Sequence, residues 1–147
     1  MFHELRHATS GTAAIEFALV SPVLILLLVG LVEVGSRVHE GMQVQNAAEA
    51  GAIYVAKNGW SSAGITEAVT NSTGFKGITA SPAPTQFCGC PTSAGITTIS
   101  CTSTCSGGMA VSQYVQIDTV LTHKTVLSSF GFKLPATITG RAIIRTK

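Results

Sequence analysis

Four cysteines, Cys88, Cys90, Cys101 and Cys105, fall within an 18-residue stretch. Cysteines set so closely serve either a thiolate-held metal or a pair of disulfides. The spacings, Cys-x-Cys and Cys-x3-Cys, are not the Cys-x2-Cys pair usual for zinc, and His123 is remote in sequence. Disulfides are therefore the expectation, with no metal and no cofactor. Three pairings are open, and a bond between Cys88 and Cys90 is sterically poor because it closes a strained ring.

A second chemical feature is a carboxylate where carboxylates are rare. Phe17 to Val32, "FALVSPVLILLLVGLV", is free of charge, yet Glu16 immediately precedes it. With Thr12 to Ile15 the apolar run is long enough to cross about 30 Å of hydrocarbon as a helix of about 20 residues. In lipid its backbone must bond internally, so it is helical, with a possible kink at Pro22. A carboxylate at the centre of such a helix costs about 2.5–3.5 kcal/mol, and less near an end. Glu16 is tolerated if it reaches back to the headgroups. It has a purpose if a cation meets it once helices pack. A chain cut just before Thr12 would create that cation, the new α-amine, one helical turn away or on a neighbouring subunit.

Catalytic constellations carry little weight here. Glu67, Asp118, His123 and many serines are present, but such a list permits a Ser/His/Asp triad in almost any chain. Asp118 and His123 lie five apart on an expected strand, hence on opposite faces. No phosphate loop, metal-ligand run or nucleophile motif occurs, so no enzyme activity is expected.

These groups must be held by a small set of elements. The chain has 147 residues, 46% hydrophobic and 11% charged, with a formal charge of +2. That accommodates one modest domain and one membrane element. The basic residues are scattered, which argues against a nucleic-acid partner. Helical character continues past the apolar run. Glu33 and Arg37 are spaced as an exposed i,i+4 pair, and "QVQNAAEAGAIYVAKNG" ends at Asn58-Gly59, a stop signal. A helix from Thr12 to Lys57 would be about 70 Å long. Ala47, Ala48, Gly51, Ala52 and Ala56 form a small-residue stripe suited to close packing, first of all on the protein's own C-terminal domain.

Beyond residue 57 a short helix is expected around Ile65, Ala68 and Val69, ending near Gly74. Gly77–Ala80 and Ile96–Cys101 are strand-like, the first ahead of a Cys-rich loop at 86–106 and the second within it. "MAVSQYVQIDTVLTH" and "ATITGRAIIRT" alternate as strands, the second with Ile138, Ala142 and Ile144 on one face. Phe130 to Pro135 reads as a loop. The fold class is α+β: a long N-terminal helix, its first half membrane-spanning, packed on a small antiparallel sheet.

The segment "GTAAIEF", Gly11 to Phe17, resembles the processing site of the type IV pilin superfamily, in the form used by its Flp/tight-adherence branch: Gly, four residues, Glu, then an aromatic. Gly11, Glu16 and Phe17 match in register. The longer tract to Gly35, with Pro22 in the apolar run and Glu33 after it, is similar to the TadE-like family of that pilus system. "QVQNAAEAGAIYVAKNG" and the C-terminal "GRAIIRTK" also fit it. The resemblance implies a pilin-like fold and cleavage after Gly11 by a prepilin peptidase, making Thr12 the N-terminus. It also implies an assembly contact between Glu16 and a neighbouring Thr12 amine.

The expected organisation is a cytoplasmic leader at 1–11, a transmembrane helix at 12–35, a helix extension at 36–57 and an exported α+β domain at 58–147. Arg6 before the helix keeps the N-terminus cytoplasmic, so the cysteines reach an oxidising space beyond the bacterial inner membrane. The expected function is that of a minor pilin or pseudopilin in assembly or anchoring of a tight-adherence pilus. Its partners would be the peptidase, other pilin subunits, the assembly machinery and the membrane. The alternatives are a non-cleaved membrane-tethered envelope factor and an adhesin-like surface-binding module. A secretory signal removed after the apolar run is disfavoured, since no small-x-small cleavage site follows it.

Overall fold

Helix α1 runs without interruption from Thr9 to Asn58 in a computed structural model that describes residues 9–125, 128, 131 and 135–146. At 1.5 Å per residue its 50 residues extend for roughly 75 Å. Pro22 lies inside it. The N-terminal part is apolar all round: Phe17, Leu19, Leu27 and Leu31 are each at least 65% exposed. A helix uniform in this way has no core to face. It is long and apolar enough to cross a membrane, and the apolar stretch is unburied.

The chain divides into two compact units, Met1–Arg37 with Thr125–Leu134, and Val38–Lys124 with Pro135–Lys147. The second contains the rest of α1, helix α2 (Ser62–Asn71) and one antiparallel sheet. Its strands are β1 (Thr79–Ala80), β2 (Thr85–Thr92), β3 (Gly95–Thr98), β4 (Ser112–Thr122) and β5 (Thr137–Arg145). β4 is central: β5 pairs along one side of it, β1 and β2 along the other, and β3 extends β2 outward. The expected α+β class, a long apolar helix packed on a small antiparallel sheet, is the observed one.

Alternation on β4 makes the core. Val115, Ile117, Thr119 and Leu121 point to one face and are buried, as the two-residue period of a strand requires. Val44, Ala47 and Val55 of α1 and Ile65 and Val69 of α2 meet them. The small-residue stripe packs on the protein's own sheet and α2, except at Ala56, which is exposed. Ala47 and Ala48 are fully buried, and a Cβ on Gly51 would come within 3.0 Å of Val69. Tyr54 lines the same core, whereas Trp60 is 40% exposed. Helix α2 begins on Ser61, whose hydroxyl accepts the Gly64 amide at 3.2 Å, a cap stabilising by about 1 kcal/mol.

The structure corrects three details. The stretch expected to be a loop at 86–106 contains β2 and β3, a hairpin in which Pro91 stands opposite Ile96. Pro91 reads as a strand breaker, but β2 pairs with β4 only from Thr85 to Gly89, so Pro91 has a neighbour on one side alone. Proline is tolerated at such a position. Glu33 is 3% exposed and thus not part of an open surface pair. The helix begins at Thr9, ahead of Thr12. Residues 1–8 of the expected leader, and most of the expected loop at Phe130–Pro135, lie outside the described residues.

Candidate processing segment and disulfide clasp

Gly11, Thr12, Glu16 and Phe17 all lie on the exposed N-terminal part of α1. Gly11 is the third residue of the helix, and a Cβ built on it meets nothing within 4 Å. A peptide bond in a first turn unwinds cheaply, because the amides there lack intrahelical acceptors. Thr12 and Glu16 are four residues apart, hence on one helix face, about 6 Å apart along the axis. The helix therefore sets an amine created at Thr12 and the Glu16 carboxylate one turn from each other, with Phe17 70% exposed beside them.

The four cysteines come together as two disulfides, Cys88–Cys101 and Cys90–Cys105, with Cα–Cα distances of 5.1 and 5.6 Å. Both distances fall in the range a disulfide needs. Strand geometry explains the Cys-Gly-Cys sequence of β2. Residues two apart project to the same face, so Cys88 and Cys90 both reach the loop that follows β3. Gly89 faces the other way, where a Cβ would sit 2.6 Å from Ile96 and 2.9 Å from the Thr97 carbonyl. The crossed pair clasps residues 99–111 onto β2, aided by the Ile99 amide donating to Cys88 O at 2.9 Å. With sequence separations of 13 and 15, each bridge stabilises by about 3 kcal/mol through loop closure. Intact mass should be four hydrogens below that of the reduced chain. Under graded reduction Cys88–Cys101 should open first, since Cys101 is exposed while Cys90 and Cys105 are buried. Differential alkylation reads the order; release of Cys90 and Cys105 first would contradict it.

Two polar side-chain contacts escaped the sequence reading. His123 Nδ1 lies 2.6 Å from Glu40 Oε2, with both side chains largely buried, and joins the helix extension to the end of β4. Asp118, on the outer face of the sheet, accepts from Arg141 Nε and, at 2.6 Å, from Gln116 Nε2. Asp118 and His123 are thus engaged separately rather than in one constellation. Nothing in their spacing, 83 and 23 residues from their partners, signals either pair. No group of three metal-ligating side chains occurs among the described residues.

An exposed apolar helix continued into a disulfide-clasped α+β unit is compatible with a single-pass membrane anchor. Residues 11–52, all within the helix, match the family model described as TadE-like protein. That is the family the N-terminal tract resembles. The match begins at Gly11 and ends in the helix extension, ahead of the sheet and all four cysteines. No curated protein matches the chain. No solved structure matches it either.

Proposed function

We propose that this protein is a minor pilin or pseudopilin of a tight-adherence pilus system, made as a precursor and cut after Gly11 by a prepilin peptidase. Family membership already points to pilus machinery and membrane association. The finer reading is carried by one observation: the Gly-x4-Glu-Phe segment occupies the exposed start of an apolar helix that is itself the family-matching segment. In this reading the N-terminus is cytoplasmic, α1 crosses the inner membrane to about residue 35, and the sheet domain is exported. Thr12 becomes the mature terminus. The sheet domain clamps the helix extension through its small-residue stripe and presents its outer surface to other subunits.

Glycine before the cut lets the backbone extend into a narrow protease cleft. N-terminal sequencing of the protein from native membranes should therefore begin at Thr12, and Gly11→Phe should retain the leader and begin at Met1. An intact Met1 terminus in the unsubstituted protein, with active peptidase present, would favour a non-cleaved tether.

A further inference from the structure

Helix α1 does not cover the whole of its sheet. It stops at Asn58, Gly59 turns the chain with a φ of 78°, and Trp60 follows in the connection to α2. The inner face of the sheet runs on past that point, and its residues there are polar. Gln113 precedes the buried Val115 and Ile117 by the two-residue period of β4. Gln86 of β2 pairs with Val115. Thr146 is next in register after β5, and its amide donates to Gln113 O at 2.8 Å. Gln86 and Gln113 are thus diagonal neighbours on one face, about 7–8 Å apart. A cleft of about 470 Å³ lies here, lined by Val55, Ala56 and Trp60 from the helix end and by Gln86, Gln113 and Thr146 from the sheet.

The lining selects the occupant. Trp60 is 40% exposed and is not packed against the core, so its indole gains little from folding. The side-chain amides of Gln86 and Gln113 bond to no described residue, and each offers two donors and an acceptor oxygen. The cleft has no carboxylate, and its one cation, Arg145, is already engaged. An aromatic face beside neutral amides matches a molecule with an apolar face and a rim of hydroxyls. A pyranose ring with equatorial hydroxyls is such a molecule. Its axial C–H bonds point outward from the ring face, where the negative π-face of an indole attracts them. Its adjacent hydroxyls can donate to and accept from one primary amide. The volume lies within the roughly 300–1,000 Å³ of small-molecule sites. An extended peptide suits the cleft less well, because the polar groups offered are side chains on a sheet face rather than the backbone of a sheet edge. We infer that this cleft binds a neutral glycan of equatorially substituted pyranose rings, with one ring stacked on Trp60 and its hydroxyls held by Gln86 and Gln113. The inference does not depend on the pilus reading, because it rests on the cleft alone.

The test uses the full chain in lipid nanodiscs, with cellotriose and diacetylchitobiose as probes and mannitol, a polyol without a ring, as the control. Trp60 is the sole tryptophan, so its emission reports on the cleft directly. At least one glycan should change that emission saturably, with half-saturation on the order of 1 mM, and mannitol should not. Ligand-observed saturation-transfer NMR reads the variants that lack the indole. Trp60→Ala should weaken binding by about tenfold and Trp60→Phe by less. Gln86→Leu combined with Gln113→Leu should also weaken it by about tenfold. Neither glutamine is buried, so the fold should persist, which far-UV circular dichroism checks. No saturable response to either glycan at about 0.1 M would overturn the inference, as would an equal response to mannitol. Undiminished binding by Trp60→Ala or by the double glutamine variant would overturn it as well. So would tighter binding of an uncharged Gly/Pro/Ser peptide, because a peptide would then be the occupant.

Discussion

Gly140→Val should lower stability by about 4 kcal/mol and separate the helix extension from the sheet. A Cβ at Gly140 would lie 2.9 Å from Val44 O and 2.8 Å from Thr119 Oγ1. Neither atom yields easily. Val44 O belongs to the backbone of α1, and the fully buried Thr119 hydroxyl donates to it at 2.9 Å. The added side chain must therefore push helix from sheet or break that bond. Overpacking costs about 1–3 kcal/mol, and a buried hydroxyl left without its acceptor costs about 1–3 kcal/mol more. Small domains have roughly 5–15 kcal/mol in total. Urea unfolding of the full chain in detergent, followed by the emission of its single tryptophan, Trp60, measures the loss. Gly41→Ala is the matched control: it is helical with nothing within 4 Å of the new Cβ, so it should gain up to about 1 kcal/mol. Equal stability of Gly140→Val and the unsubstituted protein would mean that helix and sheet do not meet at this point.

In the proposed minor pilin, Glu16→Gln should be inserted and cut normally yet fail to join other pilin subunits. The glutamate lies four residues from Thr12 and is exposed on the helix, so before assembly it reaches water or headgroups at little cost. Packing among helices closes that escape. The carboxylate must then neutralise or find a cation, and in the proposed reading the Thr12 amine is the cation that cleavage would create at this depth. Opposite charges attract strongly where the dielectric is low. In the proposed reading cutting and assembly are thereby coupled, since no amine would exist at this level beforehand. Glutamine keeps the shape without the charge, and Glu16→Ala removes both. Both variants should be depleted alike from purified pili or from crosslinked subunit complexes. Normal recovery of both, with normal processing, would reduce Glu16 to a tolerated interfacial residue.

The apolar helix, its stop at Asn58, the short α2 and the alternation of β4 and β5 were all legible in the sequence. Each is a local periodic pattern whose meaning does not depend on distant residues. β2 was hidden because Pro91 and two nearby glycines resemble a loop. The Cys88–Cys90 alternation was its one strand-like sign. Residue types and the likeness of "GTAAIEF" to a processing site placed the candidate site at Gly11, Thr12, Glu16 and Phe17. The structure adds that these residues share an exposed helix start.

By itself, then, the sequence determined a membrane-length helix, an α+β architecture, a processing-type segment and cysteines suited to oxidation. These follow from composition, period and short-range order. The tertiary structure decided the rest: which cysteine meets which, that Glu40 receives His123 and Asp118 receives Arg141, and that Gly140 must lack a side chain beneath Val44. The physical reason is the same in each case. These contacts join residues far apart in the chain, and their partners are chosen by how the helix lies across the sheet and by strand register, which a local pattern does not encode.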